Sequence, residues 1–333
     1  MRLAIDAMGG DNAPGEIVRG ALAARGALPE EEFLLVGDRE TLEAELHAAH
    51  VSRDRITIIH ASERVTMAEP PVEAVRKKPD SSMRRAVELM AKGDADAVVS
   101  AGNTGAFVAA AHMVAKRLPG IRRPGISVVF PTFHGPVVII DVGANVDSRP
   151  IHLLQYGVMA SVYAREVFDI AQPRVGILSI GEESDKGNEL AREARDLMER
   201  SRVRFCGNAE GRDVFNGRFD VIVCDGFVGN IVLKCVEALA ESVLQTIIQQ
   251  VGTLDADVEA ALMPVMSDIQ RRHDAEEYGG APLLGVDGVV IICHGNAKAR
   301  GIANALRVAA TYARHQVNRI IVQEVAQAGG DNG

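Results

Sequence analysis

No tryptophan occurs in this 333-residue chain, and its aromatics are limited to 9 Phe and 4 Tyr. So few rings argue against stacking platforms for single-stranded nucleic acid and against aromatic shelves for sugars. A basic excess is missing too: 36 Lys and Arg face 45 Asp and Glu, leaving a net charge of −9. That is the wrong sign for holding a phosphate backbone, so no nucleic-acid partner is expected. The four cysteines, Cys206, Cys224, Cys235 and Cys293, stand singly with neither CxxC nor zinc-type spacing. They read as small buried hydrophobes in a reducing compartment. The opening run MRLAIDAMGG meets Asp6 and then glycine, unlike a signal peptide or a membrane span. A cytosolic protein is expected.

Signature motifs are missing as well. No GxGxxG follows a candidate strand, and there is no GxxxxGKS or GxxxxGKT, no HExxH and no GxSxG. The recognisable dinucleotide, nucleoside-triphosphate, zinc-protease and hydrolase-elbow sites are therefore absent, and neither metal nor cofactor is expected.

What is present is an ordinary globular composition, 47% hydrophobic and 24% charged. The length admits one large α/β domain or two sharing a cleft. With no Pro/Gly/Ser linker to divide it, we expect one large domain over residues 1–333. Short apolar, β-branched runs alternate with helical periodicity, the mark of repeated βα units and a largely parallel sheet. The expected strands are Leu3–Met8, Phe33–Gly37, Ile56–His60, Ala97–Ser100, Ile126–Phe130, Val137–Val142, Arg174–Ile180, Val203–Cys206, Val221–Cys224 and Val289–Cys293. Helices are expected over Pro14–Arg25, Glu40–Ala49, Ser81–Ala91, Thr104–Lys116, Arg149–Phe168, Glu189–Arg200, Val228–Val251 and Lys298–Arg314. Between 251 and 280 the rhythm gives way to a helical excursion that Pro264 is expected to split, and the tail Ala328–Gly333 reads as frayed.

The turns after the strands carry the chemistry. Five end in Asp, Ser or Cys-His and run into small polar residues. The first holds Asp6, Gly9, Gly10 and Asp11; the second Ser100, Gly102, Asn103, Thr104 and Gly105; the third Asp141 and Asn145. The fourth holds Asp225, Gly226, Gly229 and Asn230, and the fifth His294. Ligands of open parallel sheets bind at such strand ends, where helix N-termini face an anion, so the five turns are expected to line one mouth. Any one of them is explained by the Gly, Asn and Asp that turns and N-caps require; the shared vocabulary of the set points to a site. A sixth turn places Lys186, Gly187 and Asn188 just before a helix start. A cation there meets an unfavourable dipole unless an anion lies between, although Glu182, Glu183 or Asp185 could equally neutralise it.

The ordered segments DAMGGDNAP, SAGNTGA, DVGAN, EES with DKGNEL, CGNAEGRD, CDGFVGN and GGAPLLGVDG with ICHG closely resemble the bacterial PlsX phosphate acyltransferases over nearly the whole chain. The resemblance implies a three-layer α/β/α fold like that of isopropylmalate dehydrogenase and phosphotransacetylase. It also implies transfer of an acyl group from the phosphopantetheine thioester of acyl carrier protein to inorganic phosphate, the first step of phospholipid synthesis. A homodimer is implied, peripheral to the inner face of the cell membrane, whose product feeds a membrane glycerol-3-phosphate acyltransferase. Phosphate is already an anion and a thiol of pKa about 8.5 leaves readily, so positioning and charge suffice without a triad.

On this reading Lys186, Asn188 and the Gly187 backbone hold phosphate, and Asn230, Asn103 and Asn145 are candidates to polarise the thioester carbonyl. His294 protonates the departing thiolate, while Asp6, Asp11, Asp141 and Asp225 order their turns. A decarboxylating dehydrogenase of the related fold and a non-catalytic scaffold are the alternatives, which a turnover assay separates. Two basic clusters, Arg76-Lys77-Lys78 with Arg84-Arg85 and Lys116-Arg117 with Arg122-Arg123, are candidate landing areas for an acidic carrier. An apolar stripe of Val258, Leu262, Val265, Met266 and Ile269 is expected to face either lipid or a partner subunit.

Overall fold

The computed structural model describes residues 1–253, 255–273 and 278–328. Leu254 and 274–277 of the expected excursion, and 329–333 of the expected tail, lie outside the described residues. Among the described residues eleven strands build one continuous sheet: β1 (Arg2–Asp6), β2 (Glu32–Gly37), β3 (Ile56–His60), β4 (Ala97–Ser100), β5 (Gly125–Thr132), β6 (Gly135–Ile140), β7 (Val175–Leu178), β8 (Phe205–Ala209), β9 (Val221–Val223), β10 (Ala281–Leu284) and β11 (Val289–Ile292). Their order is β3-β2-β1-β4-β11-β10-β5-β6-β9-β7-β8.

Strand alternation sends side chains to two cores, one on each face. Leu3 and Ile5 of β1 and Ala97 and Val99 of β4 enter one core, and Ala4 and Val98 enter the other. Helices α1 (Gly15–Ala24), α2 (Arg39–Ala48), α6 (Pro150–Phe168), α7 (Glu189–Glu199), α10 (Ala299–Arg314) and α11 (Val317–Ala328) cover the first face. Helices α3 (Pro71–Lys77), α4 (Ser82–Ala91) and α5 (Thr104–Val114) cover the second, joined by Val228, Leu233 and Val236 of α8 (Gly226–Val251). The result is a three-layer α/β/α fold on a mostly parallel sheet, as the sequence predicts.

Strand direction brings a correction. β3, β2, β1, β4 and β11 run parallel to one another, and so do β6, β9, β7 and β8. Between the blocks, β11–β10, β10–β5 and β5–β6 are all antiparallel. Three successive reversals set the second block against the first. The turns after β1, β4 and β11 therefore open at one edge of the sheet and those after β6, β9 and β7 at the other, although Thr104, Gly143, Asn230 and His294, from four of the five expected turns, still line one cavity. The sequence reading lacked β10, whose four residues include Pro282 and follow two glycines, a pattern that reads as a turn.

The excursion also differs from expectation. Helix α9 (Ala256–His273) passes through Pro264 unbroken; proline removes only its own N–H, and both Pro264 and Ala260, four residues earlier, are solvent-exposed. Met266 is buried and Leu262 half-buried, so the outward apolar residues of α9 are Val258, Met263, Val265 and Ile269. Cys224 and Cys293 are buried, whereas Cys206 and Cys235 are exposed: β8 lies at the sheet's edge, and position 235 falls on the outer side of α8.

Candidate active site

At the first edge the turns are stitched together by a buried carboxylate. Asp6 accepts hydrogen bonds from the hydroxyls of Ser82 (2.6 Å) and Ser100 (2.7 Å), and the Ser100 Oγ accepts from the Gly102 N–H (3.0 Å). The Asp11 N–H donates to the Gly295 carbonyl (2.8 Å), which ties the first turn to the fifth. Burial pushes the Asp6 and Asp141 carboxyl groups up from the ordinary carboxylate value, against hydrogen bonds that favour their charge.

The second edge repeats the device. Asp141 Oδ1 accepts from the backbone N–H groups of Ile126 (3.0 Å), Gly143 (3.1 Å) and Ala144 (2.9 Å). Its Oδ2 accepts from the Asn145 N–H (2.7 Å) and side-chain amide (3.2 Å). The start of α8 docks onto this loop through the Gly226 N–H and the Asn145 carbonyl (2.9 Å). Asp225 caps α8 by accepting from Phe227 and Val228 N–H groups. Only glycine fits at 229, because a Cβ there would lie 1.9 Å from the Asp141 carbonyl oxygen.

The third turn of this edge follows β7. Asn208 of β8 holds its backbone by donating to the carbonyls of Gly181 (3.1 Å) and Glu183 (2.7 Å). Asn188 caps α7, its Oδ1 accepting from Ala191 N–H (2.9 Å). Glu182 is engaged by Arg212 and Arg218, so among the described residues no carboxylate forms an ion pair with exposed Lys186. Beside Gly187 the Ser179 hydroxyl is buried without a hydrogen-bond partner.

Between the two edges lies a cavity of about 360 Å³. Ile126, Val128 and Phe130 of β5, Ile292 of β11 and Leu233 of α8 supply apolar walls, and Thr104, Asn230, Lys234, Glu237 and His294 supply the polar groups. Thr104 and His294 come from the first edge and Asn230 from the second. Lys186, Gly187 and Asn188 do not line it; their turn emerges beside that of Asn230, since β7 and β9 are paired neighbours. His294 Nε2 is 3.0 Å from Glu237 Oε1, and Lys234 Nζ donates to Glu237 Oε2 at 2.8 Å. Burial opposes ionisation of Glu237, but these two partners prevail and hold its carboxyl below the usual value.

Lys234 and Glu237 were missed in the sequence. Their signal is the spacing 230, 234 and 237, which sets three polar side chains on one stripe of the otherwise apolar first half of α8.

The three asparagines proposed for the thioester carbonyl separate sharply. Asn103 caps α5 through Oδ1 and donates its amide to the carbonyls of Met67 (3.0 Å) and Glu69 (3.2 Å). Asn145 donates its amide to Pro124 O (2.6 Å), Asp141 Oδ2 and Tyr156 Oη (2.9 Å). Both amides are spent within the fold, which corrects their assignment as donors to substrate. The Asn230 side chain makes no hydrogen bond among the described residues and faces the cavity.

The fatty acid synthesis protein family model matches residues 1–320. The chain belongs to that family. This is the PlsX phosphate acyltransferase family of the sequence resemblance, and the protein is an acyltransferase of lipid synthesis. It is 48% identical to a phosphate acyltransferase from Geotalea daltonii, covering 98% of this chain and 95% of the relative. It is 49% identical to the phosphate acyltransferase of Desulforamulus reducens over 93% and 92% of the two chains. Among solved structures it is similar to a phosphotransacetylase from Streptococcus pyogenes, with a TM-score of 0.66, 19% identity and 94% of each chain covered. A phosphotransacetylase from Staphylococcus aureus superposes with a TM-score of 0.61 at 16% identity and the same coverage. The acyltransferase thus shares its fold with phosphotransacetylases.

Proposed function

We propose that the enzyme moves an acyl group from the phosphopantetheine thioester of acyl carrier protein to inorganic phosphate, releasing acyl phosphate and free carrier. A phosphate oxygen attacks the thioester carbon, the C–S bond breaks, and the thiolate takes up a proton. The observation that carries this reading is the cavity: an apolar groove for an acyl chain that ends among Asn230, Lys234, Glu237 and His294. In it Asn230 donates to the carbonyl oxygen, and His294, held 3.0 Å from Glu237, is the group placed to pass a proton to sulfur. Lys186, with the Gly187 N–H and the free amide of Asn188, holds phosphate at the adjoining turn. The unneutralised Lys186 and the unpartnered Ser179 hydroxyl support that placement.

The test is turnover of long-chain acyl carrier protein with and without phosphate. Hydroxylamine-reactive acyl phosphate should form only when phosphate is present; hydrolysis independent of phosphate would end the proposal. Lys186→Ala should raise the phosphate KM about 10- to 100-fold, the loss of one charge-assisted contact. If Lys234→Ala does this and Lys186→Ala does not, phosphate sits inside the cavity instead.

The same reading makes the enzyme the first step toward phosphatidic acid, a homodimer at the inner membrane face that passes its product to a membrane glycerol-3-phosphate acyltransferase. No helix among the described residues is long and apolar enough to cross a membrane. Helix α8 leaves Ile231, Leu239, Val243 and Ile247 exposed at i+4 multiples, a stripe suited to a second copy. On α9, Val265 and Ile269 point outward and suit lipid. Val265→Asp with Ile269→Asp should abolish vesicle co-sedimentation while turnover in solution persists. A shift to monomer on size-exclusion chromatography would instead assign α9 to the subunit interface.

A further inference from the structure

Of the two basic clusters, one has four of its five cations paired by its surroundings. Lys77 pairs with Glu73, Lys78 with Glu69, Arg84 with Glu88 and Arg85 with Asp80. In the other cluster, Arg122 and Arg123 form no ion pair among the described residues, and both face a cavity of about 460 Å³ that also takes in Arg149, equally unpaired. Ser148, Asp147 and His152 complete its lining. Asp147, the single carboxylate on the rim, pairs with none of the three guanidiniums.

The lining of this cavity is net positive. Three guanidiniums and one carboxylate line it, in a protein that is net negative. Arg149 stands at the N-cap of the 19-residue α6, whose dipole adds positive potential at the same place. His152 is buried, and its Nδ1 accepts the Arg149 N–H (3.1 Å), which leaves Nε2 as its remaining donor. Burial, followed by Arg123, Arg149 and Arg122, holds the His152 pKa below its ordinary value. The backbone beneath is fixed: Gln155 accepts from the Arg122 N–H (2.8 Å) and donates to the Gly120 carbonyl (2.8 Å).

The cavity also leads somewhere. Arg123 borders a second depression, of about 240 Å³, lined by Gly105, Ala144 and Asn145. The chain neighbours Thr104 and Gly143 line the catalytic cavity. A ligand seated on the arginines can therefore extend a linear arm along this surface toward Asn230.

We propose that Arg122, Arg123 and Arg149, with His152 and Ser148, form an anion pocket that binds the phosphate ester of the acyl donor while its thioester reaches the catalytic cavity. Convergent guanidinium forks fit the several acceptor oxygens of a phosphate better than a single carboxylate. The inference rests on the thioester reading above and adds the group that anchors the donor.

Two donors with the same thioester, acyl-phosphopantetheine and acyl-pantetheine, isolate the phosphate ester. The wild-type enzyme should favour the phosphorylated donor in kcat/KM by about 10- to 100-fold, and Arg122→Gln with Arg149→Gln should bring that ratio toward one. Calorimetric titration with phosphopantetheine should weaken by a similar factor in the same variant, its fold checked by thermal melting. If the double variant melts early, Arg149→Gln alone carries the comparison. Failure of the wild type to use either donor would count against the thioester reading, and a calorimetric loss in the variant would still support the pocket. A wild-type ratio of one, a ratio that survives substitution, or a rise confined to the KM for inorganic phosphate would overturn the proposal.

Discussion

Asp141→Ala is expected to remove a large part of the folding stability. Five donors converge on this one carboxylate, four from the backbone and one from Asn145, and alanine would leave them facing a void. Water enters poorly, because Asp141 is fully buried and flanked by the close approach of Gly229. A single stranded buried donor costs about 1–3 kcal/mol, and this substitution strands several at once. Set against a total of about 5–15 kcal/mol for a folded protein, that loss shows in both the melting temperature and the denaturant midpoint. The damage should spread to the site, since the same loop docks the start of α8, which carries Asn230. A denaturant midpoint within about 1 kcal/mol of wild type would mean that the loop holds its shape without the carboxylate.

The same loop shows how far the sequence could be read. The run GPVVII followed by DVGAN marks a strand and a polar turn by pattern alone, and the apolar β-branched run VIV before CDGFVGN does likewise. Layers and most element boundaries followed from such runs. The direction of the second block did not, because it depends on the two-residue ladders of β10, a strand too short and proline-bearing to stand out. The three asparagines were indistinguishable for a similar reason. Asn103 and Asn145 are consumed by carbonyls 34 to 37 and 21 residues away in the chain, partners that local pattern cannot supply. The basic clusters divided the same way. Lys77–Glu73 and Arg84–Glu88 are i,i+4 pairs visible in the sequence, but Lys78–Glu69 joins the C-cap of α3 to the turn before it, and the gathering of Arg149 with Arg122 and Arg123 needs the tertiary fold.

Asn230→Ala is expected to lower kcat by about 10²- to 10³-fold, the usual cost of removing one preorganised donor from a developing oxyanion. The site is built for such a donor. Asn230 is the fifth residue of α8, just after the first turn that the Asp225 cap and Gly229 contact fix, and its amide has no competing acceptor among the described residues. In the proposed reaction, negative charge grows on the carbonyl oxygen as phosphate adds to the thioester, and an amide already in place would stabilise that charge without reorganisation. Because the contact strengthens only as charge develops, the loss should fall on kcat, with the KM values for donor and phosphate nearly unchanged. Asn103→Ala supplies the contrast: it removes the α5 cap and should lower stability far more than it lowers kcat. Single-turnover measurements with saturating phosphate separate chemistry from product release. A kcat within about threefold of wild type in a folded Asn230→Ala variant, or a loss carried wholly by KM, would assign carbonyl polarisation to Lys234 or Thr104 on the same cavity wall.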